Sequence, residues 1–255
     1  MKLGIVTYNI AFDWSLDTLL ERSEALGYDC VELRTTHAHG VELALDAAAR
    51  TAVRDRFAAS RVNLWGLGST CEFHSPDPAE VERNMTEALK WITLARDLGA
   101  VGVKVRPNGM PDGIPPEDTL RQIGEVLSAL APAARANDVE LWLEVHGPVT
   151  ADPRHIATIL SYVDSSIVGA CWNCNFPTDL IDGQLAPGFD LLKDRLLAVH
   201  LHDFHEPYPY RELFDRLSAI GYDRPCLAEI QDSSDPDRVL RYFRACFLAL
   251  TGQAA

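Results

Sequence analysis

Four apolar runs in the second half of the chain each end in a residue able to bind a metal. LWLE ends at Glu144, SSIVGACWN at Asn173, RLLAVH at His200 and RPCLAE at Glu229, at intervals of 29, 27 and 29 residues. That interval holds one strand, one loop, one helix and one loop, the repeat of a parallel βα sheet. If each run is a strand of one such sheet, the four polar residues meet at the carboxyl ends of neighbouring strands. That rim is where α/β barrels and open α/β sheets keep their chemistry. Two carboxylates, an imidazole and an amide oxygen form a hard, oxygen-rich set. It suits Mn2+, with Mg2+ and Co2+ as alternatives, better than a structural zinc.

The first half extends the pattern. Strand-like runs at 3–9, 30–34, 62–68 and 101–107 alternate with helical stretches opening near Ser15 and covering 41–60, 79–98 and 117–137. Further helices are expected at 153–163, 210–220 and 235–250, with loop and broken helix over 175–191. The Pro/Gly-rich segment NGMPDGIPP after the fourth run is the longest irregular stretch and a candidate lid. Eight strands alternate with eight helical stretches, with no linker or compositional break. The length of 255 residues is close to the ~250 typical of a closed eight-fold barrel. YNIAFDWS after the first strand lacks the glycine-rich dinucleotide loop of an open doubly wound sheet. The expected fold is α/β, one (β/α)8 TIM barrel domain over residues 1–255.

Charge narrows the partners. With 23 basic and 37 acidic residues the net charge is −14, which opposes binding to nucleic acid phosphates and to anionic membrane surfaces. No apolar stretch reaches the ~18 residues a membrane span needs, and MKLGIVTYNI reads as a strand rather than a secretory leader. The six cysteines are scattered through apolar runs, as small buried hydrophobes, and a reducing cytoplasm is the expected compartment. Cys171 and Cys174 form a C-x-x-C, but the first falls inside a strand rather than at the helix N-terminus that a redox pair needs. Oligomeric state is left open.

Other polar residues fall at or near the same rim. Lys104 and Arg106 alternate along the fourth run and share a face. They either hold a hydroxyl-rich or phosphorylated ligand or pair with rim carboxylates. Glu32 closes the second run and His74 follows the third; both are candidate substrate contacts. His37 and His39 lie on a loop, and Arg211 opens a helix near the mouth. Asp203, three residues past His200, is a candidate acceptor for the ring nitrogen that a ligating imidazole leaves over.

The Glu144-x-His146 pair, the WNCN stretch, His200-Leu-His-Asp203 and Glu229 in LAEI resemble the xylose-isomerase-like TIM barrels. These are sugar and sugar-phosphate isomerases and epimerases, related to the endonuclease IV group. The resemblance covers the whole chain and is sharpest from Leu141 to Ile230. It implies a divalent metal held by Glu144, Asn173, His200 and Glu229, with the two glutamates also moving the proton at the reacting carbon. It implies a small carbohydrate substrate, with His146 and Asn175 among its contacts. The family usually has Asp where this chain has Asn173, so the metal site loses one formal charge. The leading expectation is a metal-dependent sugar epimerase or isomerase that transfers a proton next to a carbonyl. A lyase acting on a keto-sugar or keto-glycoside and a non-catalytic sugar-binding barrel are the alternatives. Phosphodiesterase chemistry is disfavoured, because the sixth run lacks the Asp-x-x-His pair and the charge is acidic.

Overall fold

The computed structural model describes residues 1–254 and closes the eight strands into one parallel barrel in sequence order. The strands are β1 (Lys2–Val6), β2 (Cys30–Arg34), β3 (Asn63–Glu72), β4 (Gly102–Arg106), β5 (Glu140–Glu144), β6 (Val168–Asn173), β7 (Leu196–Leu201) and β8 (Pro225–Ala228). Around them run α1 (Leu16–Leu26), α2 (Ala47–Ala59), α3 (Pro78–Leu98), α4 (Pro116–Ala136), α5 (Pro153–Ser161), α6 (Leu185–Leu192), α7 (Tyr210–Ala219) and α8 (Pro236–Thr251). The fold is a (β/α)8 TIM barrel.

Local chemistry sets the helix ends. Ser15 Oγ accepts from Thr18 N at 3.2 Å to open α1, and Gly27 closes it in the left-handed region. The helix expected from residue 41 begins later, because Asp46 caps it through Ala49 N at 2.8 Å. Residues 41–46 are therefore loop. β3 runs four residues beyond its expected end, to Glu72, and so carries that carboxylate to the rim. The segment read as loop and broken helix contains one regular helix, α6.

Two layers of packing follow from the strand alternation. One face of each strand meets the helices: Val103, Val105, Leu143, Trp172 and Val199 belong to the large core between barrel and helices. Along the other face, Trp142, Cys171 and Ala198 form a separate buried cluster with partly buried Trp65. Trp142 occupies so much room that neighbouring strands carry glycine. A Cβ on Gly66 or Gly102 would lie 2.4 or 2.3 Å from its ring. The barrel is thus plugged towards the amino ends of its strands. Among the described residues, no helix is long and apolar enough to cross a membrane.

Candidate metal centre

Strand alternation that sends Trp142 inward also sends Glu144 inward, two residues later and one layer higher. Glu144, Asn173 and His200 are buried at the carboxyl ends of β5, β6 and β7, and Glu229 follows β8 immediately. One ligand atom from each of Glu144, His200 and Glu229 lies within 4.8 Å of the others, a trio able to hold a metal ion. His200 Nδ1 is 3.5 Å from Glu144 Oε1 and 3.3 Å from Glu229 Oε2. Asn173 Nδ2 donates to Glu144 Oε1 at 3.3 Å. Asn173 Oδ1 and His200 Nδ1 are both buried without a hydrogen-bond partner. Buried polar atoms of this kind are costly unless a partner meets them.

The ring orientation of His200 comes from across the barrel. Its Nε2 sits 2.9 Å from Glu32 Oε2 on β2, and both side chains are fully buried. The Glu32 carboxylate holds one ring proton on Nε2 and turns Nδ1 towards Glu144 and Glu229. With no cation bound, burial opposes a charged ring, but the surrounding carboxylates outweigh it and hold the ring protonated. A metal would take the place of the Nδ1 proton, the arrangement found behind ligating imidazoles. This corrects two expectations. Glu32 is the orienting acceptor rather than a substrate contact, because it lies beneath the mouth at 0% exposure. Asp203 does not touch His200; its Oδ2 instead accepts from Gln231 N at 3.5 Å, and the residue lines the cleft.

Lys104 completes the centre. Its Nζ donates to Glu144 Oε2 at 2.6 Å, and both groups are almost wholly buried. Burial works to strip the ammonium of its proton, but Glu144, Glu229 and Glu32 outweigh it and hold the lysine above its ordinary pKa. Burial likewise opposes ionisation of Glu144, yet Lys104 and His200 bring its carboxyl down to about 2. Glu229 is also held well below the usual carboxylate range, against the penalty of burial, by His200, His202 and Lys104. Once a metal displaces the His200 Nδ1 proton, three carboxylates and one ammonium leave two negative charges, which a divalent cation cancels. Asn173 fits that balance, since a fourth carboxylate would exceed it.

A cleft of about 350 Å3 opens above these groups, lined in part by Lys104, Arg106, Glu144, His146, Asn173, Asn175 and Glu229. Arg106 pairs with Glu72 Oε1 at 2.5 Å, and Asn108 Nδ2 donates to the same oxygen at 2.6 Å. His146 Nδ1 lies 2.8 Å from Asn108 Oδ1, so the first residue of the expected lid is tied to two strand ends. Asn175 Nδ2 donates to Val145 O at 2.5 Å. The loop carrying Asn175 is pinned by a buried chain in which Trp172 Nε1 donates to Tyr208 Oη and Tyr208 donates to Asp179.

Several expected contacts lie elsewhere. Arg211 is exposed on the first turn of α7 and does not line the cleft. His74 stands outside the cleft lining, 3.8 Å from Glu72. His39 braces its own loop, with Nε2 2.8 Å from Arg34 O and Nδ1 accepting from Val41 N. Cys171 and Cys174 are free and buried, and burial pushes the Cys171 thiol up to about 11, unlike an activated redox pair. Tyr8, Arg34, His202, Glu206 and Gln231 line the cleft without having been singled out as substrate contacts. The signal for Arg34 was present: Glu32-Leu33-Arg34 repeats the spacing of Lys104-Val105-Arg106.

A family model described as xylose isomerase-like TIM barrel matches residues 20–246. The chain belongs to that family. Solved structures of the same shape include a protein named IOLI with a bound zinc atom, at 17% identity and TM-score 0.84, covering 99% of this chain and 98% of that one. D-psicose 3-epimerase, solved in the presence of D-fructose, matches at 16% identity and TM-score 0.80 over 99% of this chain and 100% of the other. 3-keto-D-glucoside 4-epimerase from E. coli matches at 16% and 0.81 over 98% and 99%. No curated sequence matches this chain.

Proposed function

We propose that the protein is a divalent-metal-dependent sugar epimerase or isomerase that moves a proton at a carbon next to a carbonyl. The observation that carries this reading is the convergence of Glu144, His200 and Glu229 within 4.8 Å, beside the unpartnered Asn173 Oδ1 and His200 Nδ1. Glu144, Asn173, His200 and Glu229 would hold the cation, Mn2+ best by the hardness of the donors. The cation supplies Lewis acidity towards a carbonyl and an adjacent hydroxyl. Similarity to the 3-epimerase and 4-epimerase structures supports the reaction class, by analogy of fold.

The chain's own groups account for the proton. Glu144 and Glu229 are both ionised and both lie at the floor of the cleft, so each can accept a proton from carbon. Removal by one carboxylate and return from the other, after the second has taken up a proton from solvent or a substrate hydroxyl, inverts the carbon between them. The first then releases its proton in turn. Return to a neighbouring carbon, with the hydroxyl proton passing to the former carbonyl oxygen, moves the carbonyl instead. Lys104, held protonated beside Glu144, offers positive charge to the oxygen on which the enolate forms. The barrel wall and the Trp142 plug shield the floor from water on the far side.

The test uses Mn2+-loaded protein, a panel of ketoses, inososes and 3-keto-glycosides, and NMR in D2O. Deuterium should enter at one carbon of at least one sugar, which locates the acidic position whatever the product. Protein that retains no stoichiometric metal, or that holds Mn2+ and exchanges no proton in any member of the panel, overturns the reading.

A further inference from the structure

The charges lining the cleft are unevenly placed, and one of them is unspent. On one side stand Arg34 at the end of β2 and Lys104 and Arg106 on β4. On the other stand Asp203 and Glu206, in the loop after β7, with Gln231 beyond β8. Barrel order places β2 and β4 on either side of β3, and β7 beside β8 across the mouth. Two of the three cations are already matched inside the protein. Lys104 is paired with Glu144 and Arg106 with Glu72. Among the described residues Arg34 makes no ion pair; its guanidinium lies over the Tyr8 ring, 4.8 Å from the centroid. Tyr8 lines the same cleft. Below, the metal-binding centre balances its own charge once a divalent cation is bound, so it makes no demand on Arg34.

A guanidinium held on an aromatic face keeps its edge nitrogens for a planar or tetrahedral anion. A neutral polyol would leave that charge uncompensated inside a cleft of about 350 Å3, at the small end of the ~300–1,000 Å3 typical of ligand sites. Arg106 adds positive potential from the same side and keeps a buried Nε with no partner. The acidic far side suits hydroxyl donors.

We propose that the substrate is an acidic sugar, whose carboxylate or phosphate is held by Arg34 on the β2–β4 side while its hydroxyls face β7 and β8. The inference rests on the carbohydrate reading of the site and goes further by naming the substrate's charge. It also orders the substrate, with the anionic end away from Asp203 and Glu206 and the carbonyl end over Glu144 and Glu229.

The experiment compares three probes that differ only at carbon six: D-fructose, D-fructuronate and D-fructose 6-phosphate. Binding to Mn2+-loaded wild type and to Arg34→Gln is measured by calorimetry. Wild type should bind one of the two anions at least tenfold more tightly than fructose. The preferred anion tells a carboxylate subsite from a phosphate one. Arg34→Gln should bring that ratio to about one, and Arg34→Lys should keep part of it. In wild type alone, raising salt to about 0.5 M should shrink the preference, which guards against a variant that folds poorly. Equal binding of all three probes overturns the proposal. So does a preference that survives in Arg34→Gln, because the anion would then sit on the metal. The two readings fail separately. Anion preference without deuterium exchange removes the isomerase and keeps the subsite, whereas exchange on neutral sugars without anion preference does the reverse.

Discussion

The two ends of the barrel are built from the same strands and solve opposite problems. Towards the amino ends, Trp142 fills the bore, with Trp65 stacked at 6.1 Å and its indole nitrogen donating to Glu140 Oε2 at 2.8 Å. Arg224 there makes a two-point pair with Glu140 and covers the Trp65 ring. The buried nitrogens left without partners, Trp65 Nε1 and Arg224 Nε, are donors. Towards the carboxyl ends the unpartnered atoms include two acceptors, Asn173 Oδ1 and Glu32 Oε1, beside His200 Nδ1, whose proton a cation would displace. A larger cavity, about 660 Å3, opens at the plugged end beside Trp65 and Arg224. Volume is therefore a poor guide here. What marks the carboxyl end is buried polar atoms facing a cation-sized gap, and among the described residues no such cluster of acceptors surrounds the Trp142 plug.

Breaking the carboxyl end should have the largest effect. Glu144→Gln and Glu229→Gln keep shape and remove a ligand charge and a base together. Each should slow proton exchange by roughly 10³-fold or more. The check is the rate of deuterium entry, with circular dichroism to show the fold intact. A variant retaining a tenth of wild-type exchange would take that glutamate out of the reaction.

Next comes the contact that reaches across the bore. Glu32→Gln leaves an acceptor opposite His200 but weakens its hold on the ring, and Mn2+ affinity should fall about 10–100-fold. Titration calorimetry measures it. Unchanged affinity would mean that the ring needs no orienting carboxylate.

The plugged end should answer differently. Gly102→Ala drives a methyl to 2.3 Å from the Trp142 ring and should cost about 1–3 kcal/mol in urea unfolding. Mn2+ affinity of the folded variant should stay within about twofold of wild type, since additivity holds for sites that share no partner. Loss of metal binding alongside stability would show that the two ends are coupled.

Asn173→Asp should have the smallest effect and sharpens the charge balance. A third carboxylate in the ligand set should tighten Mn2+ by roughly tenfold after screening. The rate should not rise, because added negative charge raises the cost of an enolate. The metal-free variant should be less stable than metal-free wild type, having one more buried charge to satisfy. Unchanged or weaker Mn2+ binding would remove Asn173 from the ligand set.

Chain-local signals carried the architecture. The spacing of Glu144, Asn173, His200 and Glu229 and the regular alternation of strand and helix were enough to give eight βα units. Hydrophobic period and βα length are properties of consecutive residues, so sequence alone determined the closed barrel and which strand ends face the mouth. At α2 the local pattern misled because of one side chain: Asp46 caps the helix and so shortens the one expected from residue 41.

Only the tertiary structure decided the pairings. Glu32 meets His200 across 168 residues, and Lys104 meets Glu144 across 40. Nothing in the order of residues says which inward groups meet across a bore; that depends on strand tilt and on how far the plug rises. The same holds for Arg34, whose lack of a counter-charge becomes visible only once every carboxylate has been placed. Hydrophobic periodicity is written along the chain, whereas electrostatic partnership is settled by distance in space, and closure of the barrel sets those distances.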